Sequence, residues 1–326
     1  MTLETFVLFQ PCFNDLKKDF CYVSNIEAVK AGILTIIDMP AFLKRGEIYN
    51  YHNNTCMGIY APVWYKIYMN GLKLRKNQKY ILIFHESHIA LNNPKFFVWL
   101  KKKYKVKCVL LIQNPISNKM HPSIDGGIDL HMINQYFDLI VTDELKDAKL
   151  YQMVFIPDSF SVITRRKAKI RFDICFSGAD KKRAELLNQI AIVAEKAGIG
   201  YDFRVMVGSR ERKKYLKLTY MQWQSYLELI KQDMQSNCIL EILQPGQSSS
   251  TLRLQEAICL NKKLLTNNPN VINEKFYNPQ YVQIFDTPEH INWNFVRERI
   301  TVDYGYCGEY SPVAFLNKIK KELEKL

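Results

Sequence analysis

Residues 239–268 read ILEILQPGQSSSTLRLQEAICLNKKLLTNN. The apolar run Ile239–Leu243 is too short for a helix and breaks at a loop of Gln, Pro, Gly and serines. The period then changes: Leu252–Leu260 places its apolar residues at helical spacing behind Thr251, and Lys263–Thr266 returns to a short apolar run. Strand, helix, strand in that order is a βα unit of a parallel sheet, whose strands are covered on both faces and are therefore apolar throughout.

Outward from this unit the same alternation fills the chain. Strands are expected at Phe6–Phe9, Ile33–Ile37, Tyr80–Phe84, Val106–Ile112, Leu139–Thr142 and Val154–Ile156, and again at Phe172–Phe176, Phe203–Val207 and Val282–Phe285. Helices are expected at Lys95–Lys103, Lys181–Ala197, Tyr220–Gln235 and Val313–Leu326, whereas Pro40–Lys79 shows a mixed pattern that assigns no element. At 326 residues, 48% apolar, the chain supports about two domains of roughly 150 residues, each with a full core. The polar, basic stretch SFSVITRRKAKIR after Pro157-Asp158 marks the crossing between them. The reading is an α/β fold of two Rossmann-like doubly wound domains facing a cleft: 1–165 on the acceptor side, 166–310 binding a nucleotide, and a terminal helix in 311–326 that packs back on the first. Ligands of such sheets bind at the carboxyl ends of the strands.

Lys and Arg number 45 against 32 Asp and Glu, a net charge of +13 that points to a polyanionic or phosphorylated partner. The basic residues are dispersed and no RRM, KH, zinc-finger or helix-turn-helix signature accompanies them, so no nucleic acid is expected as partner. Eight cysteines lie far apart without a CxxC pair or a His-rich tract, which suits a reduced, cytoplasmic setting and no zinc site. Runs such as GILTII and KYILIF fall far short of the ~20 apolar residues of a membrane span, and the N-terminus lacks a basic leader.

Three strand-end loops of the second half are candidates to hold an anion. FDICFSGADKKR (172–183) runs through Ser177 and Gly178 into a helix start carrying Lys181, Lys182 and Arg183, where glycine allows close approach and N–H groups attract phosphate. Val207-Gly208-Ser209-Arg210 ends the next strand in the same way. In the third loop, Gln247, Ser248, Ser249, Ser250 and Thr251 form a polar cluster too long for one helix cap, and Arg253 and Glu256 stand three apart on one helix face. An arginine at a helix start suits a pyrophosphate, and a carboxylate suits ribose hydroxyls. Arg253 is expected to serve the ligand with little effect on folding.

This last segment resembles the donor-binding segment of bacterial glycosyltransferases of lipopolysaccharide and capsule synthesis, of the two-domain GT-B type. Those show a small-residue, Gly-Leu-Thr-x-Arg-like loop, a Glu, and a Lys-Leu-Ile-Thr strand; Thr251, Arg253, Glu256, Leu265, Thr266 and Asn267 match, and Ser250 stands where Gly is usual. Tyr136–Ala148 through Phe155-Ile-Pro157 resembles the close of their N-terminal domain, and FDICFSGADKKR the opening of their C-terminal one. The resemblance implies a nucleotide-sugar donor (UDP, GDP or similar) on Ser177, Gly178, Arg183, Gly208, Gln247, Ser248, Ser250, Thr251, Arg253 and Glu256. It further implies transfer to a glycan or lipid-linked glycan, with the diphosphate leaving on arginines and helix N-termini and no metal or other cofactor.

Many retaining enzymes of this fold carry a Glu, seven residues, then a second Glu; Ser248 takes the first position if Glu256 takes the second, which favours inversion. Inversion needs a base for the acceptor hydroxyl in the N-terminal half. Phe84-His85-Glu86-Ser87-His88 follows a buried strand directly, so Glu86 leads, ahead of His85, His88 and Asp15 in the loop after the first strand. Phe96, Phe97, Trp99 and Leu100 beside Lys101–Lys103 read either as core or as a short amphipathic helix for an anionic membrane surface, making the protein peripheral on the inner face of the membrane. The competing functions are a nucleotide-sugar epimerase of the same architecture, which binds a donor but no acceptor, and a basic nucleic-acid-binding protein.

Overall fold

The computed structural model describes residues 4–10, 15–116, 133–162, 168–206, 215–221 and 224–326. The chain divides into two compact units, Met1–Ser161 with Ser311–Leu326, and Val162–Tyr310.

The first unit runs β1 (Thr5–Phe9), α1 (Asp15–Ser24), α2 (Ile26–Lys30), β2 (Leu34–Ile37), α3 (Gly46–Thr55), α4 (Ala61–Met69), β3 (Tyr80–His85), α5 (Lys95–Lys103), β4 (Val106–Ile112), β5 (Leu139–Thr142), α6 (Leu145–Tyr151) and β6 (Val154–Phe155). Among the described residues its strands form one sheet in the order β2-β1-β3-β4-β5-β6, every pair parallel. Successive side chains of a strand point to opposite faces, and both faces are buried here. Val7, Phe9, Leu82, Phe84, Cys108 and Leu110 meet α4 and α5; Phe6, Leu8, Ile81, Ile83, Val109 and Leu111 meet the other layer.

Pro40–Lys79, unassigned from sequence, holds α3 and α4. Ala61, Trp64, Tyr65 and Tyr68 of α4 are buried at helical spacing, but Val63 on the opposite face is exposed and blurs the stripe. In α5, Phe96, Phe97 and Leu100 are fully buried, the Phe97 ring lies edge-on to Phe84 at 5.1 Å, and Trp99 stacks on Phe96 at 5.9 Å. Of the two readings of α5, the structure selects the first: its aromatic stripe is core, and the Lys103 ammonium rests 4.8 Å from the Trp99 ring.

The second unit runs β7 (Phe172–Ala179), α7 (Ala184–Lys196), β8 (Tyr201–Met206), β9 (Thr219–Met221), α8 (Tyr226–Met234), β10 (Ser236–Glu241), α9 (Leu252–Cys259), β11 (Lys263–Thr266), β12 (Val282–Ile284) and α10 (Trp293–Arg297). Its parallel sheet has the order β12-β11-β10-β7-β8-β9, which counted from β7 is the dinucleotide-fold order 3-2-1-4-5-6. Two boundaries differ from expectation. Tyr220 belongs to β9, and α8 begins later, behind the Ser225 cap whose hydroxyl accepts from the Glu228 N–H at 3.3 Å. Lys181 and Lys182, expected in the first turn of α7, stand at φ 43° and 66°, so that helix starts at Ala184.

After Tyr310 the chain returns to the first unit as α11 (Pro312–Leu323). Ser311 caps it, Pro312 fits the first helical position, and Phe315, Leu316, Ile319 and Leu323 join the core beneath β1, β3 and β4.

Candidate active site

In the second unit the strand order reverses between β7 and β10, and an open α/β sheet leaves a crevice at the carboxyl ends of that pair. Arg183 stands there. Its guanidinium donates to the Ala179 carbonyl at the end of β7 (2.6 Å) and to the Ile242 carbonyl just past β10 (2.9 Å), and lies 5.1 Å from the Phe176 ring centroid. Burial, and then the nearby Arg253 cation, bring Arg183 down to about 10, so it stays charged at neutral pH. Gly178 fits closely against this arrangement, because a Cβ there would lie 3.0 Å from Arg183 Nη2 and 3.2 Å from the Phe176 ring, so both would have to give way. The glycine thus makes room for a guanidinium.

The start of α7 is not the open anion site expected from sequence. The Asp180 carboxylate already accepts from the N–H groups of Arg183 (3.1 Å) and Ala184 (3.0 Å). Ser177 is buried and donates to the Gln232 side-chain oxygen, tying β7 to α8. Gly208 lies outside the described residues.

The Gln244–Thr251 loop is organised by Glu241, the fully buried last residue of β10. Its carboxylate accepts from the Thr251 N–H and the Thr266 hydroxyl, each at 2.6 Å, and so joins the start of α9 to the end of β11. Thr251 caps α9, its hydroxyl accepting from the Arg253 N–H at 3.1 Å. Gln247 closes a turn on the Gln244 N–H (3.4 Å), Asn270 donates to the Ser248 carbonyl (3.0 Å), and Asn268 donates to the Ser250 hydroxyl (3.1 Å).

Arg253 reaches into a buried network, 3.1 Å from Asp233 and 2.5 Å from Glu256, while the Tyr226 hydroxyl donates to Glu256 at 2.8 Å. Two fully buried acids share this one arginine. Burial raises both carboxyls, Glu256 to about 8 against the pull of Arg253, so the network holds a proton at neutral pH. Arg253 and Glu256 are therefore built into the interior of the unit, and the expectation that Arg253 matters little to folding is corrected.

In the first unit the order reverses between β1 and β3, and Glu86 follows β3 directly. It is fully buried; its N–H donates to the Leu111 carbonyl at 2.8 Å and the Asn114 amide donates to its Oε1. Asp143 after β5 and Asp158 after β6 stand on the same edge, both half-buried. Asp158 accepts from the Gln113 amide at 2.6 Å and shares a hydrogen bond with Asp143. Burial first, and the Glu86 charge as well, raise Asp158 to about 6; burial, Asp158 and Glu86 push Asp143 well up. The edge therefore carries at least one carboxyl group, that of Asp158, that exchanges its proton near neutral pH. No group of three or more His, Cys, Asp or Glu among the described residues is placed to hold a metal ion.

His85 is buried, its Nδ1 accepting from the Ser87 N–H at 3.1 Å, and it borders a small cavity with Gln113 and Asp158. His88 is removed from the candidates: its Nδ1 accepts from the Ala90 N–H at 3.2 Å, its Nε2 lies 3.0 Å from Met39 Sδ, and burial brings it down to about 3. Asp15 opens α1, and its side chain lies outside the described residues.

Sequence reasoning missed Asp143, Asp158, Glu241 and Asp233. For Glu241 a signal existed, since an acid inside the run CILEIL breaks an otherwise apolar buried strand. Asp158 likewise lies in the loop after the last strand of its unit, three residues past β6, a place comparable to that of Glu86 after β3. Asp143, between Thr142 and Glu144 before a helix, reads in sequence as part of a helix cap, and Asp233 has no local signal.

No protein-family model and no curated protein matches the chain. Solved structures do share its fold. An alpha-glucosyltransferase in complex with UDP and a 13-mer DNA containing a HMU base aligns with 99% of this chain and 99% of its own, at TM-score 0.58 and 11% identity. The catalytic domain of starch synthase IV from Arabidopsis thaliana, bound to ADP and acarbose, covers 99% of each chain at TM-score 0.57 and 8% identity. UDP-N-acetylglucosamine 2-epimerase from Rickettsia bellii covers 99% of this chain and 96% of its own at TM-score 0.50 and 12% identity. The fold is the two-domain α/β fold of GT-B glycosyltransferases.

Proposed function

We propose that the protein is a nucleotide-sugar-dependent glycosyltransferase. The observation that carries this reading is Arg183, a charged guanidinium fastened by two backbone carbonyls at the strand-order reversal of a 3-2-1-4-5-6 sheet, with Arg253 close behind it. That arrangement suits a nucleoside diphosphate, whose charge grows as the sugar departs. The reaction we assign is an inverting displacement. The acceptor hydroxyl oxygen bonds to the anomeric carbon while the carbon–diphosphate bond breaks with its electron pair, the hydroxyl proton passes to a carboxylate of the first unit, led by Glu86, and arginine neutralises the leaving diphosphate without a metal. Gln247, Ser248, Ser250 and Thr251 remain proposed donor contacts, and a lipid-linked or polysaccharide acceptor of cell-surface synthesis is the class favoured.

A thermal-shift screen of UDP, GDP, CMP and dTDP sugars tests this, because a ligand at 100 times its Kd stabilises the native state by about 2.7 kcal/mol. Failure of every nucleotide sugar to respond, in a chain shown to be folded, sinks the proposal. Conversion of the nucleotide sugar without glycan coupling would mark the epimerase instead. The net charge of +13 favours as second reading a polyanionic acceptor. Since the alpha-glucosyltransferase above was solved with HMU-containing DNA, such DNA belongs among the acceptors assayed.

A further inference from the structure

The segment after β6 carries its acid away from its own strand. β6 lies at the far edge of the first sheet, four strand spacings or about 19 Å from β1. About six extended residues span such a gap. The chain after Phe155 does so and is then stapled behind β1: Ser159 Oγ donates to Asn25 Oδ1 (3.3 Å), and Ser161 Oγ donates to the Ser24 carbonyl (2.7 Å) and accepts from the Glu27 N–H (3.4 Å). Ser159, Phe160 and Ser161 are buried, so the crossing is fixed. Asp158 rides on it, accepts from Gln113 just past β4, and borders the small cavity that Leu8 of β1 and Ile83 and His85 of β3 also line. It thus stands at the strand-order reversal of this sheet, where an open α/β sheet receives its ligand.

The other acids of the edge are placed differently. Glu86 has no exposed surface, and Asn114 donates to it from within. Asp143 follows β5, two strands away from the reversal. Asp158 alone of the three combines partial exposure with a place at the reversal. A second group points to a ligand there: the Ser24 hydroxyl, 3% exposed, borders the same cavity and has no hydrogen-bond partner among the described residues. A buried hydroxyl left unpaired is costly, and an arriving oxygen would pair with it. The ionisable groups facing Asp158 are Asp143 from β5, Glu86 and His85 from β3, and Cys21 from α1, whose thiol burial pushes up to about 12 and so keeps neutral.

We propose that Asp158 is the carboxylate that meets the acceptor hydroxyl, at the rim of this cavity, with Ser24 orienting the attacking oxygen. This deepens the proposed function and rests on it. The acceptor oxygen bonds to the anomeric carbon as the carbon–diphosphate bond breaks with its electron pair, and the hydroxyl proton goes to Asp158. From there it is shared with Asp143 and Glu86, since interacting carboxyls titrate as a set. Glu86 takes its part from inside the set and does not touch the acceptor.

The test uses the nucleotide sugar that the thermal-shift screen selects, and follows release of nucleoside diphosphate with water or glycerol as acceptor from about pH 5 to 8. The wild-type rate is expected to rise through about pH 6, as the base loses its proton. Asp158→Asn should lose that rise and about 100-fold or more of turnover, with donor binding and melting temperature kept. Asp158→Glu should regain part of both the rate and the rise, and Ser24→Ala should lose about tenfold. Turnover of Asp158→Asn within a few fold of wild type, or a deeper loss in Asp143→Asn, overturns the proposal; unchanged turnover in Ser24→Ala overturns the part given to that residue. A measurement independent of turnover is carbodiimide coupling of carboxyl groups to an amine near pH 6, located by peptide mass. Asp158 should couple while Glu86 is spared, and failure of Asp158 to couple overturns the proposal. Donor binding separates the two readings: kept with unchanged turnover in Asp158→Asn, it sinks this assignment alone, whereas its absence in the wild type sinks the glycosyltransferase reading beneath it.

Discussion

The carboxyl edges of the two sheets carry opposite chemistry. At the β7/β10 edge a half-buried arginine, Arg183, has its room from Gly178, and a second, Arg253, is matched by two acids. At the edge after β3, β5 and β6 the side chains are Glu86, Asp143 and Asp158, supported by the amides of Gln113 and Asn114. Both edges follow uniformly apolar parallel strands, so the framework does not explain the difference. What differs is what the buried acids are given for company: in the second unit two acids share Arg253 as well as a proton, and in the first the acids face one another with only amides for support until one holds a proton. A cationic edge suits a diphosphate, and an acidic edge with a raised pKa suits a hydroxyl that must lose its proton.

The contrast breaks most readily at Glu86. Glu86→Gln keeps shape and hydrogen bonding but cannot take a proton, and should lower turnover by about 10²–10⁴-fold with nucleotide-sugar binding retained. If turnover survives within a few fold, the same assay on Asp158→Asn and Asp143→Asn decides whether the acidic edge has any part in proton transfer.

Next in size is Arg253→Ala, which leaves Asp233 and Glu256 buried without their cation and should destabilise the fold by about 3–5 kcal/mol in urea denaturation. A variant as stable as the parent would show that the network tolerates its own charge, and the two edges would then be alike. Glu256→Gln should do less harm, because the network already holds a proton.

The acidic edge also makes a pH prediction. Asp158 has a folded-state pKa near 6 against an ordinary 3.8, so the native state binds its proton more tightly than the unfolded chain does. Its contribution to stability is complete below about pH 4 and is lost as pH rises to about 6, a fall of about 2 kcal/mol after allowing for partial exposure. Urea midpoints between pH 4 and 7 should flatten in Asp158→Asn; an unchanged slope assigns the fall to other groups.

The smallest effect is expected at Gly178. Ala there pushes Arg183 from its place and should cost about 1 kcal/mol of stability together with weakened nucleotide binding. Unchanged binding would mean that the guanidinium shifts freely, and that the cationic edge is less organised than its hydrogen bonds indicate.

Part of this was legible in the residues alone. Uniform apolar runs separated by helical periods marked nearly every strand, and the polar loop before Thr251 marked the edge of the second sheet. The misreadings share a cause. Phe96 and Trp99 form an apolar stripe whether it faces a bilayer or a core, and Gly178 permits close approach whether the visitor is a phosphate or Arg183. Asp143 is a plausible helix cap until Asp158 is seen beside it.

Sequence by itself determined nearly every strand and the parallel sense of both sheets, because burial on two faces writes its signature within a few neighbouring residues. Tertiary structure alone decided which ionisable groups meet. Glu86, Asp143 and Asp158 come together because β3, β4, β5 and β6 lie side by side in that order, and Arg253 finds Asp233 across the pairing of α9 with α8. A charge acquires its pKa and its role from neighbours brought by strand order, at distances along the chain over which no local pattern extends.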